Sequence, residues 1–112
     1  MGHKNLTHIW TRSELLNAIK GEDVSNEFLK KKKVYGISID SRTINPGDLF
    51  FALIGENLNG HDYIDQAIKK GASGVIVSDK IMAKNFSGLY VEDTYIALKK
   101  LAKESRRRFK GI

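Results

Sequence analysis

The sequence predicts an α/β domain, a small mixed β-sheet of about four strands packed with helices. Three observations carry that reading. Leu49 to Ile54 is an unbroken apolar run, the signature of a strand buried on both faces. The apolar periodicity alternates between that of a strand and that of a helix along the chain. Helix-capping residues and glycines fall where one period gives way to the next.

Each element follows in order. Thr11-Arg12-Ser13-Glu14 has the form of a capping box, and Leu15, Leu16 and Ile19 then give a helix one apolar face, with Gly21 placed to end it. Asp23 to Lys33 is polar and reads as a loop. From Val34 the period becomes two, with Tyr35, Ile37 and Ile39 on one face of a strand. Asn45-Pro46-Gly47-Asp48 reads as a type II turn into the apolar run Leu49 to Ile54. His61 to Lys70 returns to helical spacing, with Ile64, Ala67 and Ile68 facing inward and Gly71 as the stop. Gly74–Val77 and Gly88–Val91 are short strand-like runs. Asp93 or Thr94 caps a last helix whose apolar face is Ala97, Leu98, Leu101, Ala102, Ser105 and Phe109. The order is helix, strand, strand, helix, strand, strand, helix.

The 112 residues fit one domain spanning 1–112. Hydrophobic residues are 41% and charged residues 29%, the balance of a globular domain with an ordinary core. No apolar run is long enough for a membrane span, and the amino terminus is too polar for a signal peptide, so a cytoplasmic location is expected. There are no cysteines, which excludes disulfides and thiolate metal sites. The net charge of +6 invites a nucleic-acid reading. Yet the excess sits in Lys30–Lys33 and in Lys99–Lys110, without the interleaved aromatics of single-strand binders, so nucleic acid is not the favoured partner.

The common catalytic signatures are missing. There is no G-x-x-x-x-G-K-S/T phosphate loop, no G-x-S-x-G elbow and no H-E-x-x-H. His3, His8 and His61 do not make a metal cluster, and Asp40, Asp48, Glu56 and Asp62 read as caps and turn formers. No catalytic residue is therefore assigned. Asp40-Ser41-Arg42 is more informative, because it follows a strand where an α/β sheet opens its crevice. Ser41 offers a neutral donor and acceptor suited to a uracil or ribose edge, and Arg42 a fork that can pair a phosphate or simply Asp48. The loop Gly55–Asp62 leaves the buried strand at the same edge if the two strands run parallel. Its glycines permit close approach, its amides can read the imide edge of a pyrimidine, and Asn59 or Gly60 opens the next helix. Two such loops suggest a nucleotide pocket. An ordinary turn and a helix cap remain the alternatives.

The run "IDSRTINPGDLFFALIGENLNGHDYIDQAIKKGASGVIVS" resembles the amino-terminal domain of the Mur ligases. The matched pattern is Asp-Ser-Arg, Pro-Gly-Asp-Leu-Phe, Ala-Leu, Gly, Gly-His-Asp and then Gly-Ala. Asn59 departs from it, since the family commonly has Asp there. The resemblance implies an enzyme of three domains that bind, in turn, the UDP part of a nucleotide-sugar peptide, ATP, and the incoming amine. The whole enzyme would use ATP and Mg2+ to form an acyl phosphate, whereas this chain would carry no cofactor. The chain looks cut from something longer, its ATP-binding central domain and carboxyl-terminal domain absent, and it is expected to be inactive alone. Gly-His-Asp and Trp10 tilt the resemblance toward members that join D-Ala-D-Ala to UDP-MurNAc-tripeptide; the member adding the third stem-peptide residue is the near alternative. By motif, Ile39 and Ser41 match a uridine-contacting pair, and Glu56, Asn57 and Leu58 a segment closing over the diphosphate. Arg42, Gly60 and His61 are adjacent candidates, with structural roles open for Arg42 and His61. The central domain would be this domain's own partner.

Overall fold

The first helix, α1 (Arg12–Ile19), begins as the capping box requires. Thr11 Oγ1 accepts from the Glu14 N–H at 3.3 Å, and Glu14 Oε1 accepts from the Thr11 N–H at 2.9 Å. It ends at Lys20, not at Gly21: Lys20 takes the left-handed conformation and its N–H donates to the Leu16 carbonyl. The early stop lets Glu22 form an antiparallel bridge to Tyr90. Structure is described for residues 10–30 and 32–108 of this computed structural model, so Lys31, His3, His8 and Phe109 lie outside it.

The polar segment after α1 is a loop, as expected, but it carries two core residues that its polarity hid. Phe28 and Leu29 are both buried. Asp23 anchors the segment, accepting from the Phe28 N–H at 3.2 Å and from Arg12 Nη2 at 2.8 Å.

Among the described residues four strands follow: β1 (Gly36–Ser38), β2 (Asp48–Phe51), β3 (Gly74–Val77) and β4 (Leu89–Tyr90), in sheet order β1-β2-β3-β4. All three pairings are parallel. The four-stranded α/β fold is as expected, but the mixed sheet is not. Among the described residues antiparallel pairing is confined to three isolated bridges, Trp10–Val34, Glu22–Tyr90 and Ile54–Asn59. The reason is a helix absent from the expected order. α3 (Lys80–Asn85), capped by the Asp79 carboxylate on the Ile81 and Met82 N–H groups, carries the chain back so that β4 runs with β3. α2 (Ile64–Lys69) does the same between β2 and β3.

β2 alternates its side chains between two cores. Leu49 and Phe51 pack with α1 and with α4 (Thr94–Arg108); Phe50 and Ala52 pack with Ile64, Ala67 and Ala83 from α2 and α3. The central strand is thus buried on both faces, as its unbroken apolar run requires. β1 differs from expectation. Its apolar set Tyr35, Ile37 and Ile39 is 46%, 40% and 55% exposed, while Val34 of the opposite parity is buried. β1 is the edge strand and the helices lie over β2 and β3, so alternation there does not mark a buried face.

On α4, Ala97 and Leu101 are buried, but Ala102 is exposed. Asp93 is the cap, accepting from the Tyr95 and Ile96 N–H groups. Thr94 instead lies buried and donates its hydroxyl to the Ala52 carbonyl at 2.9 Å, tying α4 to the end of β2.

Candidate functional site

Because all four strands are parallel, their carboxyl ends open on one edge of the sheet, where α/β folds form ligand crevices. Past β1 the chain folds on itself. Ser38 Oγ accepts from the Asp40 N–H at 3.2 Å, and Asp40 then caps the 3-10 turn Ser41–Thr43 by accepting from the Arg42 N–H at 2.9 Å. The Arg42 guanidinium donates to both Asp40 oxygens, at 3.0 and 2.9 Å. These hydrogen bonds from Arg42, side chain first and backbone second, hold the Asp40 carboxyl down to about 2. Ser41 is buried, and its hydroxyl donates to Gln66 Oε1 of α2 at 2.7 Å.

Past β2 the chain makes a narrow hairpin. Ile54 bridges Asn59, and the Gly55 N–H donates to the Leu58 carbonyl at 2.7 Å, leaving Glu56 and Asn57 at the exposed tip. Gly60 closes its base, with its N–H on the Leu53 carbonyl at 2.6 Å. A Cβ at Gly60 would stand 2.8 Å from both Ala52 Cα and Leu53 N, so only glycine lets the loop lie this close to β2.

His61 is held beneath that loop, 6% exposed. Its Nδ1 lies 2.7 Å from Asn59 Oδ1, and its Nε2 accepts from the Ser78 N–H at 2.9 Å. A backbone N–H aimed at Nε2 assigns the ring proton to Nδ1. Burial lowers the His61 pKa, against the opposing pull of Asp79 and Asp62.

Between the two loops lies a cleft of about 470 Å³. Ile39, Asp40, Ser41 and Arg42 form one wall and Phe50 and Leu53 the floor; Gly55, Leu58, Gly60 and Tyr63 form the other wall. Five of the eight residues singled out in the sequence thus line it: Ile39, Ser41, Arg42, Leu58 and Gly60. Glu56 and Asn57 stand at the hairpin tip and are not on the cleft wall, and His61 lies behind it. Arg42 pairs with Asp40, not with Asp48, whose carboxylate accepts from the Asn45 N–H at 2.9 Å inside the turn. The floor residues were not legible as site residues, because an apolar strand end looks like core. Tyr63 carried a readable signal, an aromatic just after the glycine loop and 39% exposed. Among the described residues no group of three or more His, Asp or Glu side chains is placed to hold a metal ion, and no helix is long and apolar enough to cross a membrane.

The chain whose sheet carries this cleft, enclosed by the Ile39–Arg42 segment and the glycine-bearing Gly55–Gly60 loop, is similar to known proteins. A family model described as "Mur ligase family, catalytic domain" matches residues 33–107. That is well over half of the sequence, and the chain belongs to the Mur ligase family. It is similar to the UDP-N-acetylmuramoyl-L-alanyl-D-glutamate--2,6-diaminopimelate ligase of Lactiplantibacillus plantarum, 38% identical over 80% of this chain and 18% of that protein. Among solved structures it is similar to UDP-N-acetylmuramoylalanyl-D-glutamyl-2,6-diaminopimelate--D-alanyl-D-alanyl ligase from Acinetobacter baumannii. That match has a TM-score of 0.76 at 32% identity and covers 88% of this chain and 22% of the other. MurF ligase from Thermotoga maritima, solved in complex with ADP, matches with a TM-score of 0.59 at 33% identity over 67% of this chain and 17% of the other. The chain therefore spans about a fifth of the length of such relatives. These structures support the MurF-like resemblance.

Proposed function

We propose that this chain is the amino-terminal domain of a peptidoglycan-precursor amide ligase of the MurF type. In this reading it holds the UDP part of UDP-MurNAc-tripeptide in the cytoplasm while the whole enzyme adds D-Ala-D-Ala. The observation that carries the reading is the cleft between the Ile39–Arg42 and Gly55–Gly60 segments. Leu53 and Leu58 offer apolar surface to the faces of a pyrimidine, and Ser41, whose proton goes to Gln66, a hydroxyl oxygen that can still accept from its polar edge. Arg42 supplies positive charge for a diphosphate, its fork already oriented by Asp40.

Binding is the better reading of the cleft than catalysis. The sequence has no phosphate loop and the cleft wall no nucleophile paired with a base, so ATP and Mg2+ do not fit these residues and belong to the rest of the enzyme. One observation favours a second reading. The Lactiplantibacillus relative is named for diaminopimelate addition, so the same cleft would serve a ligase that adds the third stem-peptide residue.

A backbone-amide NMR titration with UDP and UDP-N-acetylmuramic acid tests the proposal. Shifts are expected at Ile39–Arg42 and Gly55–Gly60, with dissociation constants of high micromolar to millimolar order, because in this reading the sugar, diphosphate and peptide would gain further contacts from the rest of the enzyme. Ser41→Ala is expected to weaken binding about threefold to tenfold, the value of one hydrogen bond. Shifts confined to the basic surface of α4, with Ser41 and Leu58 unmoved, would refute the proposal.

A further inference from the structure

We propose that His61 is the positioning residue of this cleft, a neutral imidazole clasp that fixes the Ile54–Asn59 hairpin against the end of β3, and that Asn59 keeps the clasp closed at neutral pH. The link to ligand binding rests on the nucleotide reading above; the clasp itself does not.

The hairpin's own bonds, the Gly55 N–H on the Leu58 carbonyl and the Gly60 N–H on the Leu53 carbonyl, make the Ile54–Asn59 bridge; they are internal and say nothing about where the hairpin stands against β3. The imidazole does, because it joins Asn59 to Ser78. Asn59 Oδ1 accepts both from the His61 backbone N–H at 2.9 Å and from ring Nδ1–H, so the amide has a single useful orientation. On the other side Nε2 is an acceptor, with the Ser78 N–H at 2.9 Å and the Ser78 hydroxyl at 3.4 Å. A proton added at Nε2 would set two donors against each other across that contact. Protonation therefore opens the clasp on the β3 side and leaves it closed on the Asn59 side.

The charged groups acting on the ring are Asp79, at the amino cap of α3, and Asp62, on the same turn as His61. Both favour the cation, and burial opposes it more strongly. Asn59 matters because it is the group in direct contact with Nδ1 and it is uncharged. A carboxylate there would stabilise the imidazolium through a charge-assisted hydrogen bond.

The test is a pH titration of the 112-residue chain from about pH 8 to about pH 5, the range in which histidine changes charge. Imidazole two-bond proton–nitrogen spectra and backbone amide spectra are recorded together. UDP-N-acetylmuramic acid is the ligand, because its diphosphate diester has no terminal phosphate titrating near pH 6, as a monoester would. The expected result is an Nδ1–H tautomer at neutral pH and a His61 midpoint below the ordinary histidine value. The Gly55, Leu58, Gly60 and Ser78 amides should shift at that same midpoint. Affinity for the ligand should fall about threefold to tenfold across it, the value of one hydrogen bond. Asn59→Asp should move the midpoint and the loss of affinity together to higher pH. An Nε2–H tautomer, loop amides that stay still while His61 titrates, or an affinity flat across the midpoint would each overturn the clasp. Simultaneous collapse of all amides at the midpoint would make His61 a residue of the whole core and overturn it too. Loop amides that follow His61 in a chain that binds no UDP-sugar at any pH would uphold the clasp and sink the nucleotide reading instead.

Discussion

Asp40 and Arg42 show how one residue pair prepares a surface for a ligand. The Asp40 carboxylate takes the Arg42 backbone N–H and the Nε and Nη2 donors of its guanidinium, so Arg42 is held in one orientation although its side chain is 80% exposed. Exposure keeps the pair's contribution to stability small. Its titration is nonetheless distinctive. Arg42→Ala should raise the Asp40 midpoint from about 2 toward the ordinary aspartate value, as read by carboxyl carbon NMR. The sign follows from the lowered folded-state value. The pair's stabilisation is present above the unfolded-state value, near pH 4, and is lost as pH falls toward 2. An unmoved midpoint in the variant would mean that the backbone N–H alone holds the carboxylate down. The Asp-Ser-Arg motif showed in the sequence that something sits here. It did not show that Arg42 would choose Asp40 over Asp48, because that choice depends on how tightly the 3-10 turn folds.

At the scale of elements, the site depends on how each strand ends. β2 stops at Phe51 because its next groups are claimed elsewhere: the Ala52 carbonyl by Thr94, and the Leu53 carbonyl by Gly60. Those two bonds bring α4 and the hairpin to the same strand end. Gly60→Ala should therefore act on both stability and site. The new methyl meets backbone atoms at 2.8 Å and not a movable side chain, so a loss of about 1–3 kcal/mol is expected. Urea denaturation measures the loss, and the Leu58 and Ser78 amides report the displaced loop. A fully stable Gly60→Ala chain with unchanged amides would show that the loop has room the geometry denies. α3 was illegible in the sequence for a simple reason. Six residues hold too few apolar positions to display a period, and the Asp79 cap was its one signal.

For the molecule as a whole, the basic charge is partly spent within the fold. Arg107 pairs with Glu104, and Arg108 lies over the Trp10 ring at 4.1 Å and beside Glu14. Lys30 faces Glu27. Affinity of the 112-residue chain for nucleic acid should accordingly be weak, independent of sequence and lost with salt, as fluorescence anisotropy at rising ionic strength would show. Tight selective binding at moderate salt would restore the nucleic-acid reading. The same chain should not hydrolyse ATP, since it has no phosphate loop to hold the β- and γ-phosphates. Turnover above that of a mock preparation would refute this.

The sequence by itself determined the α/β class, the capped first and last helices, the doubly buried strand β2 and the two loops worth watching. Each of these is written in local spacing: a capping box, an unbroken apolar run, glycines beside polar residues. Tertiary structure decided the rest. It made the sheet parallel through α3, left the apolar alternation of Tyr35, Ile37 and Ile39 exposed on an edge, and buried Phe28 and Leu29 from a polar segment. It also separated the candidate residues, setting Ser41 and Leu58 across one cleft, Glu56 and Asn57 at a tip, and His61 behind the wall. The physical reason is common to all of them. Which face of an edge strand is covered, and which backbone N–H a histidine must satisfy, depend on partners far apart in the chain, as Ser78 is from His61.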